Sequence, residues 1–261
     1  MESKVIQIDR RGALAWLRLS RPKALNALSP DLVADFERAL SSLEADASVR
    51  VLAITGTGRA FCAGADLAFA LDSVDAGDAL LAFVERAAAL VEHVAAFPKP
   101  VIAAVNGLAL AGGLELVLAC DLVIAAESAR LGDAHANYGL LPGAGGSARL
   151  ARRLGASRAK SLLFTGELVA APALVELGLV NRVVPDAELE GSVEKLAETL
   201  AAKSPLVLRA MKRLVDDGLD QSLAGALRLE QLALRAHVRT ADLREGLAAF
   251  REKRAPRFSG C

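Results

Sequence analysis

Cysteine is scarce: three in 261 residues, Cys62, Cys120 and Cys261, an odd number with no CxxC pair. That excludes a disulfide framework and the common zinc-ligand spacings, and it fits a reducing compartment. Net charge is missing as well, since Lys plus Arg and Asp plus Glu number 31 each and no basic block stands out. Nucleic acid therefore has no electrostatic footprint to bind. No apolar run is long enough to span a bilayer, and Met1 to Arg18 alternates as a strand pair without a signal-peptide core. The expectation is a soluble, cytoplasmic protein with neither membrane nor nucleic acid as partner. Several motifs are lacking too: there is no GxxxxGK[ST] phosphate loop and no GxSxG elbow. Gly143-Ala144-Gly145-Gly146-Ser147-Ala148 fits G-x-G-x-x-A only loosely. It follows Leu141-Pro142 rather than a clear strand, and no acidic residue is placed for a ribose.

What is present is apolar. Hydrophobic residues make up 53% and charged ones 24%, enough for one large domain, or a domain with an appendage, around a sizeable core. Residues 4–19 read as a hairpin turned at Arg11-Gly12. Ser29-Pro30 offers an N-cap with proline at the first helical position, and helical spacing continues to about Leu43. Val51 to Thr55 reads as a buried strand ending in Gly56-Thr57-Gly58. Leu80 to Phe97 is an amphipathic helix stopped by Pro98-Lys99-Pro100, and Leu122 to Ala126 is another strand. From about Gly146 the chain turns helical, with one β interruption at Val180 to Val184, and Ser204-Pro205 starts a further helix. The composition shift near residue 200 divides the chain into a strand-bearing core, 1–200, and a helical region, 201–261.

The stretch that organises the rest runs from Val101 to Asp121. An apolar strand, Val101 to Val105, stops at Asn106-Gly107, and Gly112-Gly113 then opens a second apolar run holding one carboxylate, Glu115. Glycines before a helix let the backbone approach a ligand, and the first helical N–H groups lack internal partners. Such donors suit developing negative charge on an oxygen, and Glu115 could serve them as an acid/base. A helix-start glycine pair with Glu115 facing the dipole fits the same residues. Asp121, beside Cys120 at the head of a strand, reads as structural. His93 and His237, on expected helices far from these motifs, read as surface or packing residues.

Taken together, the segments resemble the enoyl-CoA hydratase/isomerase (crotonase) superfamily over nearly the whole chain. They are Arg21-Pro22-Lys23-Ala24-Leu25-Asn26-Ala27-Leu28, Ala60-Phe61-Cys62-Ala63-Gly64-Ala65-Asp66, the central stretch, Leu140-Leu141-Pro142-Gly143-Ala144-Gly145-Gly146 and Glu245 to Arg254, in the family's order. The resemblance implies an α/β fold, a crotonase-like spiral of ββα units with a C-terminal helical trimerisation region, assembled as a homotrimer or dimer of trimers. It implies that the N–H groups of Ala65 and Gly112 form an oxyanion hole for a thioester carbonyl and that Glu115 is the acid/base. It puts Lys23, Ala24, Leu25, Ala63, Gly64, Ala65, Asp66 and Leu67 around the nucleotide and pantetheine of CoA. Phe250 and Lys253 of a neighbouring subunit would stand at the pocket's outer edge. No separate cofactor is implied, because CoA is part of the substrate. The related serine-protease branch would need a serine beside the central glycines, and Ala111-Gly112-Gly113-Leu114 has none.

One position departs from the family pattern. Where two-carboxylate hydratases carry a second glutamate, this chain has His135, in Leu131-Gly132-Asp133-Ala134-His135. An imidazole titrates near neutrality and could share the proton work, with Asp133 orienting it or acting itself. A structural, hydrogen-bonded histidine fits the same residues. The expected activity is hydration of 2-enoyl-CoA thioesters. On the same fold the alternatives are a Δ3–Δ2 enoyl-CoA isomerase, an acyl-CoA thioester hydrolase or a non-catalytic acyl-CoA-binding protein.

Overall fold

The computed structural model describes residues 5–73 and 77–261, so the first four residues of the chain, including the start of the expected hairpin at Lys4, lie outside it. The hairpin is there: β1 (Ile6–Arg11) pairs antiparallel with β2 (Leu14–Leu19). A 3₁₀ turn at Pro22–Ala24 leads to α1 (Pro30–Ala45), where the Ser29 hydroxyl accepts the Leu32 N–H as the Ser-Pro pair requires.

A stack of repeating units follows. In each, one strand enters a large sheet, a short strand enters a small sheet, and a helix closes the turn. The first unit is β3 (Val51–Gly56), β4 (Ala60–Cys62), then α2 (Leu67–Ser73) and α3 (Ala79–Ala96). The second is β5 (Val101–Val105), β6 (Leu108–Leu110) and α4 (Gly112–Ala119). The third is β7 (Leu122–Ala126), β8 (Arg130–Gly132), a 3₁₀ turn at His135–Tyr138 and α5 (Gly146–Leu154). After α6 (Ala156–Thr165), β9 (Val169–Ala170) and α7 (Ala171–Glu176), strand β10 (Arg182–Val184) ends the large sheet, and α8 (Leu189–Ala201) packs across it.

The large sheet runs β1-β2-β3-β5-β7-β10, parallel from β2 onward; the small one runs β4-β6-β8-β9, parallel except for β9. The middle strands of the large sheet read as unbroken apolar runs because both faces are covered: β3 and β5 are buried throughout. The small sheet is the main element missing from the sequence reading. Its strands are two or three residues long, too short to display a period of two. Strand β9 also corrects the expectation of a single β interruption after Gly146.

The chain finishes in α9 (Pro205–Gly218), α10 (Leu223–His237) and α11 (Ala241–Glu252). Neither α9 nor α10 buries a residue, and Met211, Val215, Leu219, Leu223, Leu227 and Leu234 lie exposed along them. Asp121 is structural, as expected. It accepts the Val101 N–H at 2.7 Å and pairs with Lys212 on α9 at 3.0 Å. Burial pushes its carboxyl up against the opposing pull of Lys212 and Val101.

α11 is fastened by Asp242, which is buried. It accepts the Ser204 hydroxyl at 2.5 Å and the N–H groups of Ser259 and Gly260 at 2.9 and 3.0 Å. Burial alone pushes this carboxyl up, but the hydrogen bonds from Ser204, Gly260 and Ser259 outweigh it and hold the group below the ordinary range. A depressed folded value stabilises the fold above the unfolded carboxylate's pKa of about 3.9, and that contribution is lost as pH falls through the folded value. Thermal melts taken from about pH 5 downward should therefore fall more steeply for the wild type than for Asp242→Asn. Equal slopes would remove Asp242 from the acid response.

Candidate active site

Three loops meet where the units of the stack turn from the small sheet toward their helices. Asn26 stitches the first of them. Its side chain is fully buried, accepts the Arg21 N–H at 2.8 Å and donates to the carbonyls of Thr57 and Ala60 at 2.9 and 2.7 Å. Leu25 and Asn26 both take left-handed backbone conformations, at φ 51° and 57°, to make the bend. The Leu25 carbonyl then accepts the Ala63 N–H at 3.1 Å. Lys23, Ala24, Leu25, Ala63, Asp66 and Leu67 are thereby held in one neighbourhood. Arg21 completes it by donating to the Ala27 carbonyl at 2.7 Å and the Asp66 carboxylate at 2.8 Å, while Asp66 caps the start of α2.

Gly64, at φ +93°, brings the next turn against α4: a Cβ there would lie 2.9 Å from Ala111 Cβ and 3.1 Å from Gly112 N. Leu28 bridges Ala65 in parallel, with the Leu28 N–H going to Gly64 O and the Asp66 N–H to Leu28 O. That pattern leaves the Ala65 N–H on the other side, with no backbone acceptor among the described residues. The Gly112 N–H, at the first position of α4, likewise has none. A Cβ on Gly112 would stand only 3.7 Å from Ala65 N, so the two free donors occupy touching turns. Ala111 sets the angle. Its φ of 48° and ψ of −118° favour glycine, and the strain is borne at the residue just before the donor. Two such amides can hold an oxyanion.

Glu115 is one turn further along α4 and is buried, 3% exposed. Its Oε1 accepts the N–H groups of Ala144 and Gly146 at 2.7 and 2.8 Å. Its Oε2 has no protein donor among the described residues. The glycine-rich loop before α5 is thus the cradle of the carboxylate. Gly146 has no Cβ because one would crowd Glu115 Oε1 at 3.1 Å, and Arg149 steadies the loop by donating to Ala144 O. Sequence reasoning missed Ala144, Gly146, Arg21 and Arg149. The first two lie in the Leu140–Gly146 segment, which carried the family resemblance but showed no role for its main-chain amides.

His135 enters from the third unit. The β6–β8 register pairs Leu110 with Gly132, and the Ala111 N–H donates to Gly132 O at 3.0 Å, so the segment carrying Asp133 and His135 leaves directly beside the Ala111-Gly112 turn. His135 Nδ1 lies 2.9 Å from Asp133 Oδ1. His93 instead pairs with Glu44 on the far helices, and His237 ends α10.

Phe250 and Lys253 lie at the end of α11. Phe250 is 85% exposed on α11, and Lys253 caps the same helix in a left-handed conformation. A cleft of about 1270 Å³, bounded by Asp121, Arg149, Arg153, Lys212 and Asp216, is not lined by Ala65, Gly112 or Glu115. No group of His, Cys, Asp and Glu among the described residues could hold a metal ion, and no helix there is long and apolar enough to cross a membrane.

Residues 9–260 match the Enoyl-CoA hydratase/isomerase family. The crotonyl-CoA hydratase of Syntrophomonas wolfei is 39% identical over 256 residues, covering 97% of both chains. The mouse mitochondrial enoyl-CoA hydratase domain-containing protein 2 is 44% identical over 253 residues, covering 93% of this chain and 83% of its own. In three dimensions, an enoyl-CoA hydratase from Bacillus anthracis superposes with a TM-score of 0.94 at 38% identity, over 98% of this chain and all of that one. Sequence and fold agree along almost the full length, and the protein belongs to the enoyl-CoA hydratase/isomerase family.

Proposed function

We propose that the protein hydrates 2-enoyl-CoA thioesters. The observation that carries this reading is Glu115, held by one oxygen on two backbone amides and free at the other, one turn beyond the unpartnered Gly112 N–H and its neighbour Ala65 N–H. The thioester carbonyl accepts from Ala65 and Gly112, which stabilises the enolate formed when water adds. Water's oxygen bonds to Cβ and its proton passes to one of Glu115 and His135. The double-bond electron pair moves to Cα, which takes a proton from the other. The two groups then re-equilibrate through solvent, so one water is consumed and no proton is left over. Lys23, Ala24, Leu25, Ala63, Asp66 and Leu67 hold the CoA portion, with no further cofactor. Relatives named as hydratases support the reading.

His135 in place of a second carboxylate favours one further reading, a Δ3–Δ2 isomerase in which Glu115 alone carries a proton between two carbons. The deciding measurement is turnover of a 2-enoyl-CoA, a 3-enoyl-CoA and a saturated acyl-CoA by the same preparation. Loss of the 2-enoyl chromophore with formation of the 3-hydroxyacyl product is expected. Turnover of the 3-enoyl substrate alone would replace hydration by isomerisation.

The working unit proposed is a homotrimer or a dimer of trimers in the cytoplasm. The exposed apolar residues of α9 and α10 support it, because so many on adjacent helices call for a covering partner. Phe250 and Lys253 would then reach the CoA end of a neighbour's site. Light scattering should find no stable monomer at micromolar concentration, and a monomer there would overturn the assembly.

A further inference from the structure

Asp133 is almost wholly buried, 1% exposed, and the hydration scheme gives it no task. Its Oδ1 lies 2.9 Å from His135 Nδ1 and 3.3 Å from the His135 backbone N. Ala134 makes this reach possible by turning left-handed at φ 59°, which folds residue 135 back over the carboxylate two positions before it. Asp133 Oδ2 is buried as well and has no hydrogen-bond partner among the described residues. A carboxylate oxygen kept from water without a donor is costly, and such cost persists where the group does something packing alone would not need.

An ionised carboxylate can only accept. Nδ1 must therefore carry the ring proton, which leaves Nε2 as the basic nitrogen. The backbone N–H of His135, held on the same oxygen, ties the ring's own main chain to that choice. Gly132, bonded to Ala111, fixes the start of the segment relative to the oxyanion turn.

We propose that Asp133 is a positioning residue that fixes His135 as the Nδ1–H tautomer, so that Nε2 is the atom exchanging a proton with water or substrate. This rests on His135 sharing the proton work with Glu115. When Nε2 takes a proton the imidazolium faces the Asp133 charge; when it gives the proton up the ring returns to the same tautomer. The proton enters and leaves at Nε2 alone, so no net proton is gained.

The test combines ring ¹⁵N NMR of His135 with a two-site cycle. In the wild type the neutral ring should be protonated at Nδ1 and bare at Nε2. The opposite tautomer would overturn the proposal whatever the variants do. Asp133→Asn should let the tautomers mix and lower kcat about tenfold to a hundredfold with KM within a few-fold, an effect of the size expected for a misdirected acid/base. In a His135→Ala background the same substitution should cost nothing further. An equal cost in both backgrounds would make Asp133 a structural residue, and an unchanged kcat in Asp133→Asn would end its part in the reaction. Absence of hydration by the wild type, with the Nδ1–H tautomer intact, would instead refute the hydratase reading and leave the hold of Asp133 on the ring standing.

Discussion

Glu115→Gln should lose turnover by about a hundredfold to ten-thousandfold while acyl-CoA affinity stays within a few-fold. The substitution suits this site because the side-chain amide keeps the shape and one accepting oxygen. That oxygen can still take the N–H groups of Ala144 and Gly146, so the loop before α5 has no reason to move. What changes is the atom at the Oε2 position, which becomes an amide nitrogen unable to take a proton. The proposed oxyanion donors are untouched, since those of Ala65 and Gly112 are backbone N–H groups. Stopped-flow turnover with acyl-CoA binding measured by calorimetry separates the outcomes. Turnover equal to the wild type would take Glu115 out of the chemistry, and lost binding with lost thermal stability would make it a packing residue.

A second large effect is expected from a single methyl group. In Gly113→Ala the new Cβ would fall 2.0 Å from the Cys62 carbonyl oxygen and 2.8 Å from its carbon. Both are backbone atoms of β4, so the clash cannot be relieved by turning a side chain. α4 must lift from the small sheet, and the Gly112 N–H lifts with it, away from Ala65. Losing one oxyanion donor typically costs about a hundredfold to a thousandfold in rate, and the forced gap should lower stability by about 1–3 kcal/mol. Gly191→Ala is the control. It lies on α8 with nothing within 4 Å of the added atom, and should be neutral or stabilise by up to about 1 kcal/mol. A Gly113→Ala enzyme with wild-type rate and melting temperature would show that the helix start tolerates displacement and that the donor geometry matters little.

How far these features could be read in advance depended on whether their cause is local. Ser29-Pro30 announces α1 because capping is decided within a few residues, and Pro98 to Pro100 ends α3 for the same reason. The paired glycines at 112 and 113 were recognisable as a close backbone approach, although not what each one approaches: Gly112 faces Gly64 and Leu28, Gly113 faces Cys62. The strands β4, β6 and β8 exist because parallel neighbours supply their hydrogen bonds, and nothing inside three residues records that. The cradle of Glu115 was hidden likewise. Its donors are main-chain groups about thirty positions downstream, and a backbone N–H has no letter in the sequence. The Asp133–His135 pair stood in plain view as neighbours, but only the left-handed turn at Ala134 reveals that they bond.

The way the stack is wound has a kinetic consequence. The first unit carries Ala65, the second Gly112 and Glu115, and the third His135 and the two amides that hold Glu115. Each joins the one before through parallel pairing across a long crossover, contacts that form slowly because they lie far apart along the chain. During refolding, burial of Trp16 in the first strands should thus precede activity, and the first turnover should coincide with docking of the third unit. The same dependence runs in reverse: opening the third unit alone, while the first two stay packed, would silence the enzyme well below its melting temperature.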